Sequence, residues 1–154
     1  MAADDEDLKR QGIPQVMPGA AVNLEWSSSF VLFPADTNHI GIGFGGKLLA
    51  EMDRIAGITT RRLLYDSVRT NLAVTAGITD VEFENFCKVG DLLIVTGKVV
   101  KLGRTSITVY VTVERETGHV GSAQRTIVAK GTFTFVSWDG VSKSIAHGLA
   151  LKGE

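Results

Sequence analysis

The hydrophobic pattern of this chain changes period twice. Residues 22–33 form a β-prone run, which Pro34 and Asp36 interrupt. From Gly45 to about Leu64 apolar residues recur at three- and four-residue steps, at Leu48, Leu49, Met52, Ile55, Ala56 and Leu63. That spacing predicts one long α-helix. Beyond it the period falls to two. Residues 72–86 are rich in Val, Thr and Ile, Val89-Gly90-Asp91 turns the chain, and Leu92–Leu102 follows. Gly103 marks a second turn. Residues 106–115 then alternate, with Ile107, Val109, Val111 and Val113 on one face and Thr108, Tyr110, Thr112 and Glu114 on the other. Gly118 to Gly121 makes a hairpin. Residues 123–138 form the last strand, with Ile127, Phe133 and Phe135 expected on one face.

The order is strand, helix, then four antiparallel strands. A helix that is apolar around most of its girth needs cover on several sides, and a strongly curved sheet wrapped around it supplies that cover. The chain therefore reads as α+β. Residues 1–19 are polar, contain two prolines and read as an arm. Residues 20–140 read as a single domain, and the tail 141–154 is weakly patterned.

Composition narrows the function by exclusion. A chain of 154 residues is long enough for one real core. A formal net charge of −1 offers no global basic field to nucleic acid or an anionic membrane. No apolar run approaches the ~18 residues of a membrane span. The opening MAADDEDLKRQG is acidic and lacks an apolar stretch, so neither a secretory signal nor an Arg-rich transit peptide is expected. A single cysteine, Cys87, permits no intrachain disulfide and fits a reducing compartment, the cytoplasm. His39, His119 and His147 lack metal-ligand spacing with one another or with Cys87, so no metal is expected.

Chemistry concentrates in FPADTNHIGIGFGGKLLAEMD, residues 33–53. Gly45 and Gly46 leave backbone N–H groups open at a helix start, where the dipole favours negative charge. Asp53 follows two turns later among Leu49, Met52 and Ala56. Gly46, Leu49, Met52, Asp53, Ala56 and Gly57 fall on or near one helical face. A carboxylate with apolar neighbours tends toward a raised pKa, which suits a general base. Each residue also has a plainer reading. Asp53 could sit exposed or pair with Arg54 or Arg61. Asn38 could serve turn and capping chemistry, and the glycines could serve tight packing. Among the cations, Arg61-Arg62 lie near the helix C-terminus, and Lys98, Lys101 and Arg104 surround the turn with Thr105 and Ser106.

Helical rise places Gly45 and Asp53 roughly 12 Å apart along one axis. A water attacking a carbonyl carbon lies about 3–3.5 Å from it. One acyl group cannot reach both on one helix. Two antiparallel helices related by a two-fold axis would join them, which predicts sites shared between subunits.

The ordered set Pro34-x-Asp36-Thr37-Asn38-x-x-Gly41-x-x-Phe44-Gly45-Gly46, Met52-Asp53, Phe83, Val89-Gly90-Asp91, Gly103-Arg104-Thr105-Ser106 and Thr132-Phe133-Thr134-Phe135-Val136 resembles the hotdog-fold acyl-CoA thioesterases. The resemblance spans residues 33–138. It implies hydrolysis of acyl-CoA to a fatty acid and coenzyme A, with Asp53 as catalytic carboxylate, acting as general base or nucleophile. It also implies that Asn38 holds the water or thioester and that the Gly45 amide polarises the carbonyl. Gly46, Arg61, Arg104, Thr105 and Ser106 become substrate contacts, the cations facing the phosphates of coenzyme A. It implies no metal or redox cofactor. It further implies a homodimer with shared sites, which a tetramer or hexamer could contain. One departure stands out: where relatives often carry a Pro after the Phe of the second strand, this chain has Phe86 and then Cys87. Two rival readings stay open. A hotdog hydratase or dehydratase would need a His–carboxylate pair, with His39 as its candidate. A non-catalytic acyl-CoA-binding protein would turn nothing over.

Overall fold

The computed structural model describes residues 20–22, 24–67, 69–119 and 121–151. The arm assigned to residues 1–19 lies outside them. Strand β1 (Ala20–Val22) is followed by β2 (Glu25–Val31), a 3₁₀ turn (Pro34–Asp36), helix α1 (Gly45–Leu64), β3 (Leu72–Phe83), β4 (Leu92–Leu102), β5 (Ser106–His119), β6 (Ser122–Trp138) and β7 (Leu149–Leu151). Five strands form one antiparallel sheet in the order β2-β4-β5-β6-β3, and α1 packs on one of its faces. This is the hotdog arrangement expected from the sequence.

The core lies where the two periods meet. Leu48, Met52, Ile55, Ala56 and Leu63 turn to the sheet, whose inner face supplies Val95, Val99, Ile107, Val109, Val111, Val113 and Phe133, all buried. One sheet glycine lets the helix approach closely: a Cβ on Gly97 would lie 2.8 Å from Thr59 Oγ1.

Three details differ from the sequence reading. Ile127 does not share the face of Phe133 and Phe135. The ladder runs Val113↔Ala129 and then Glu114↔Ile127, so a bulge at Val128 buries that residue and turns Ile127 outward beside Glu114. Strand β5 runs on to His119 instead of ending near Arg115. The tail is structured as far as residue 151. Leu149–Leu151 pairs in parallel with Ala20–Val22, and Trp138 bridges to Ser144.

His147 ties that tail to the β4–β5 turn. Its Nδ1 accepts the Leu149 N–H at 3.1 Å, so its Nε2 carries the proton given to the Ser106 carbonyl at 3.1 Å. Burial holds the imidazole below its ordinary value of 6.5.

Candidate active site

The approach to α1 is a tight loop built on Asn38. The Asn38 N–H donates to the Ile42 carbonyl, the Gly41 N–H donates back to the Asn38 carbonyl, and Gly41 takes φ 78°, a left-handed conformation suited to glycine. The Asn38 Oδ1 accepts the N–H groups of Ile40 and Ile42, both at 3.1 Å. Both partners are donors, which fixes the amide's orientation. The plainer turn role is therefore real, and it occupies only the oxygen. The Nδ2 group makes no hydrogen bond among the described residues, so Asn38 can offer donors and nothing else.

After this loop, Phe44 in extended conformation precedes the first helical residue, and no side chain caps the helix. The Lys47 and Leu48 N–H groups turn back to the Phe44 carbonyl. The N–H groups of Gly45 and Gly46 have no partner among the described residues, as the geometry of a helix start requires. A Cβ on Gly45 would lie 3.5 Å from the Phe83 ring, an ordinary contact, whereas one on Gly46 would lie 2.5 Å from the Phe44 ring. A side chain at Gly46 would push the exposed Phe44 ring aside. Lys47 stands beside this start, 2.9 Å from Glu51 and 3.7 Å from Asp36.

Asp53 is half-buried and not enclosed in an apolar stripe. Met52 and Ala56, expected beside it, are fully buried under the sheet, while Leu49, Asp53 and Gly57 form the border that faces β3. Asp53 makes no ion pair among the described residues. Arg54, its candidate partner, binds Glu51 at 3.0 Å. The Thr75 hydroxyl from β3 donates to Asp53 Oδ1 at 3.0 Å, leaving Oδ2 open. Thr75 was not singled out from the sequence, because a Thr in a Val-Thr strand reads as β propensity. Its signal would have been a position in the strand flanking the helix.

Strand β3 thus meets α1 at two points: Phe83 at Gly45 and Thr75 at Asp53. The structure does not bring Gly45 or Asn38 to Asp53 within the chain. Eight positions along α1 hold Gly45 and Asp53 about 12 Å apart along the axis. Strand β3 also ends the sheet, with Leu72, Val74, Ile78 and Phe83 between 40% and 53% exposed.

The remaining candidates divide. Arg61 is exposed beside a cavity on the border face of α1. Arg62 lies 3.9 Å from the centre of the Trp26 ring and is engaged there. Arg104 is exposed over a separate cavity bounded by the tail. The backbone carbonyls of Thr105 and Ser106 serve the chain itself: the Thr105 carbonyl accepts the Ser137 N–H at 2.8 Å and its hydroxyl at 3.0 Å, and the Ser106 carbonyl accepts from His147. His39 is exposed and bonds no carboxylate among the described residues, so the pair a hydratase would need is not formed there. Cys87 is buried against Gly43, and burial pushes its thiol up, away from nucleophilic use. The described residues contain no group of three or more potential metal ligands, and no helix long and apolar enough to cross a membrane.

Comparison with known proteins points one way. The family model described as thioesterase superfamily matches residues 40–122. An uncharacterized acyl-CoA thioester hydrolase of Zymomonas mobilis is 34% identical over 109 residues, 71% of this chain and 68% of that protein. Among solved structures, an acyl-CoA hydrolase from Staphylococcus aureus, in complex with butyryl coenzyme A, coenzyme A and coenzyme A disulfide, superposes with a TM-score of 0.72. It is 28% identical, with 84% of this chain and 76% of that one covered. A hexameric hotdog-fold thioesterase of Campylobacter jejuni gives a TM-score of 0.67 at 30% identity, with 78% and 87% covered.

Proposed function

The chain belongs to the thioesterase superfamily, and we propose that it hydrolyses acyl-CoA to a free carboxylic acid and coenzyme A. The observation that carries this reading is the pairing, on one helix, of an uncapped glycine start with a threonine-held carboxylate. Open amides suit a developing oxyanion, and a half-buried carboxylate with one free oxygen suits proton transfer.

Asp53 Oδ2 takes a proton from a water as that water's oxygen bonds to the thioester carbon. The carbonyl electrons move onto oxygen, where the Gly45 N–H meets the charge. Asn38, with only its Nδ2 donors free, binds the same carbonyl oxygen or the water's oxygen; it cannot accept the water's proton. Collapse of the tetrahedral intermediate breaks the carbon–sulfur bond, and the leaving thiolate recovers the proton from Asp53. The Thr75 hydroxyl holds the carboxylate's other oxygen and sets its direction.

The Gly45 amide and the Asp53 carboxylate that serve one substrate belong to different subunits. The axial separation within α1 supports this, as does the uncovered apolar edge of β3 beside both groups, which a second copy would cover. The assembly is then a homodimer at least, and a hexamer built from such dimers accords with the hexameric relative from Campylobacter jejuni. A single buried cysteine fits the reducing cytoplasm as its place of work.

Release of free thiol across a panel of acyl-CoA chain lengths tests the function. Turnover with at least one chain length is expected, and its absence with all of them would refute the reading. A single turnover in ¹⁸O-water tests for direct attack: label in Asp53 would reveal an anhydride opened at the Asp53 carbonyl, whereas general-base catalysis puts the label in the acid product alone.

A further inference from the structure

The loop that carries Asn38 is a small closed hairpin. The Phe44 N–H donates to the Asp36 carbonyl and the Asn38 N–H to the Ile42 carbonyl, both at 2.8 Å, and Thr37 pairs with Gly43 between them. The returning arm is fixed from outside through its backbone: the Gly43 N–H donates to the Cys87 carbonyl at 2.7 Å, and Ile42 bridges to Lys88. The outgoing arm, which holds Asn38, has one side-chain tie to α1 among the described residues. Asp36 Oδ2 accepts the Phe33 N–H at 3.0 Å, and Asp36 Oδ1 lies 3.7 Å from Lys47 Nζ.

Lys47 is an odd choice for the helix itself. It stands in a first turn that contains no acid, where a cation opposes the dipole. It also precedes Glu51 by four residues, the weaker order for a Lys–Glu pair on a helix. Neither feature serves α1, yet the ammonium is firmly placed. Nζ lies 2.9 Å from Glu51 Oε1 and 5.4 Å from the centre of the Phe30 ring. Glu51 is held in addition by Arg54 at 3.0 Å. The side chains of Asp36, Lys47 and Glu51 are 12% to 30% exposed, so solvent screens them less than an open surface pair. What the arrangement gains is a charged bridge, Asp36 to Lys47 to Glu51, from the Asn38 hairpin to the first turns of the helix.

We propose that Lys47 is a positioning residue of the thioesterase site. Its bridge fixes the tilt of the hairpin against the helix start, so that the Asn38 Nδ2 group and the Gly45 N–H meet one substrate. The proposal rests on the thioesterase reading above and adds a residue that touches neither the substrate nor the reacting atoms. Two carboxylates already meet the ammonium, so it acts through Asn38 and not as an anion contact of its own. Without its charge, Asp36 and Glu51 repel each other, and the outgoing arm loses its tie to α1.

The test is a double-mutant cycle between Lys47 and Asn38. Lys47→Met keeps the stem over Phe30 and removes the charge. It is expected to lower kcat for an acyl-CoA about tenfold, as a small misplacement of a catalytic group does, with KM changed by less than about twofold. In an Asn38→Ala background, assayed at high enzyme concentration, the same substitution should cost less than about twofold, because the group being positioned is gone. Lys47→Arg keeps the charge and should retain most of the wild-type kcat. Equal losses in both backgrounds would show Lys47 acting without Asn38 and would overturn the proposal, as would an unchanged kcat or a loss confined to KM. If Lys47→Met does not fold, Asp36→Asn decides: it still accepts the Phe33 N–H, lacks the charge, and should show the same dependence on Asn38. Amide hydrogen exchange gives a readout without turnover. Lys47→Met should speed exchange in residues 36–44 about tenfold and leave residues 55–64 unchanged. No change in the hairpin, or an equal rise in both segments, would overturn the bridge. Wild-type turnover tests the thioesterase reading separately: none with any acyl-CoA would sink that reading, while the exchange comparison still decides the bridge.

Discussion

The two long faces of α1 do opposite things. The sheet-facing side, Leu48, Met52, Ile55 and Ala56, is closed to solvent and completed entirely by the chain's own strands. The side toward β3 holds Leu49, Asp53, Gly57 and Arg61, half-buried or exposed, and borders the cavity beside Arg61 and the bare sheet edge. The first face is finished by one chain. The second carries polar groups and amides that one chain leaves unused, and it is completed by substrate and by a second subunit. Stability and chemistry are thereby assigned to different sides of one helix, about a quarter turn apart.

The sharpest way to break this comparison is at Asp53. Asp53→Asn is expected to lower kcat by about 10²–10⁴, the worth of a positioned acid or base, with the thermal midpoint near wild type. A folded Asp53→Asn protein with near wild-type turnover would remove the carboxylate from the mechanism and with it the functional half of the contrast.

One residue earlier, the opposite result is expected. Met52 is fully buried, and Met52→Ala should cost about 2–5 kcal/mol of stability in denaturant titrations. The fraction that stays folded should keep its kcat. A loss of kcat without a loss of stability would show that the two faces are not separable.

The faces were unequally legible in the sequence. Helical period three-to-four and strand period two located α1 and all five sheet strands, because a face buried by its own chain must be written in that chain's apolar spacing. Asp53, Asn38 and Gly45 were legible as residue types at suggestive spacings. Their surroundings were not. The sequence placed Met52 and Ala56 beside Asp53, whereas a turn of the helix carries them under the sheet. Thr75 gave no sign at all, since a threonine in a strand looks the same with or without a partner. The bulge at Val128 and the tail pairing of Leu149–Leu151 depend on cross-strand register, which no local pattern records.

A smaller effect asks whether the tail belongs with the stability side. His147 is held neutral by burial, with Nδ1 accepting from Leu149 and Nε2 donating to Ser106. Its folded pKa lies below its unfolded value of 6.5, so between the two the unfolded chain binds a proton that the native state does not. Stability from this group is full above pH 6.5 and declines as pH falls toward the folded pKa. Arg69, whose charge also opposes protonation, acts in the same direction. His147→Asn should flatten the part of the stability–pH curve below 6.5. An unchanged slope there would detach His147 from the acid response.

The shared site is the central claim, and subunit complementation tests it most directly. Asp53→Ala and Asn38→Ala chains are each expected to form nearly inactive homo-oligomers. When they are co-expressed and isolated through two tags, one class of site combines an intact Asn38 and Gly45 from one chain with an intact Asp53 from the other. A strict heterodimer should recover about half of wild-type activity, and a randomly mixed larger assembly about a quarter. If each site were built within one chain, every site would carry one lesion. Activity no higher than the mean of the two mutant homo-oligomers would contradict the account.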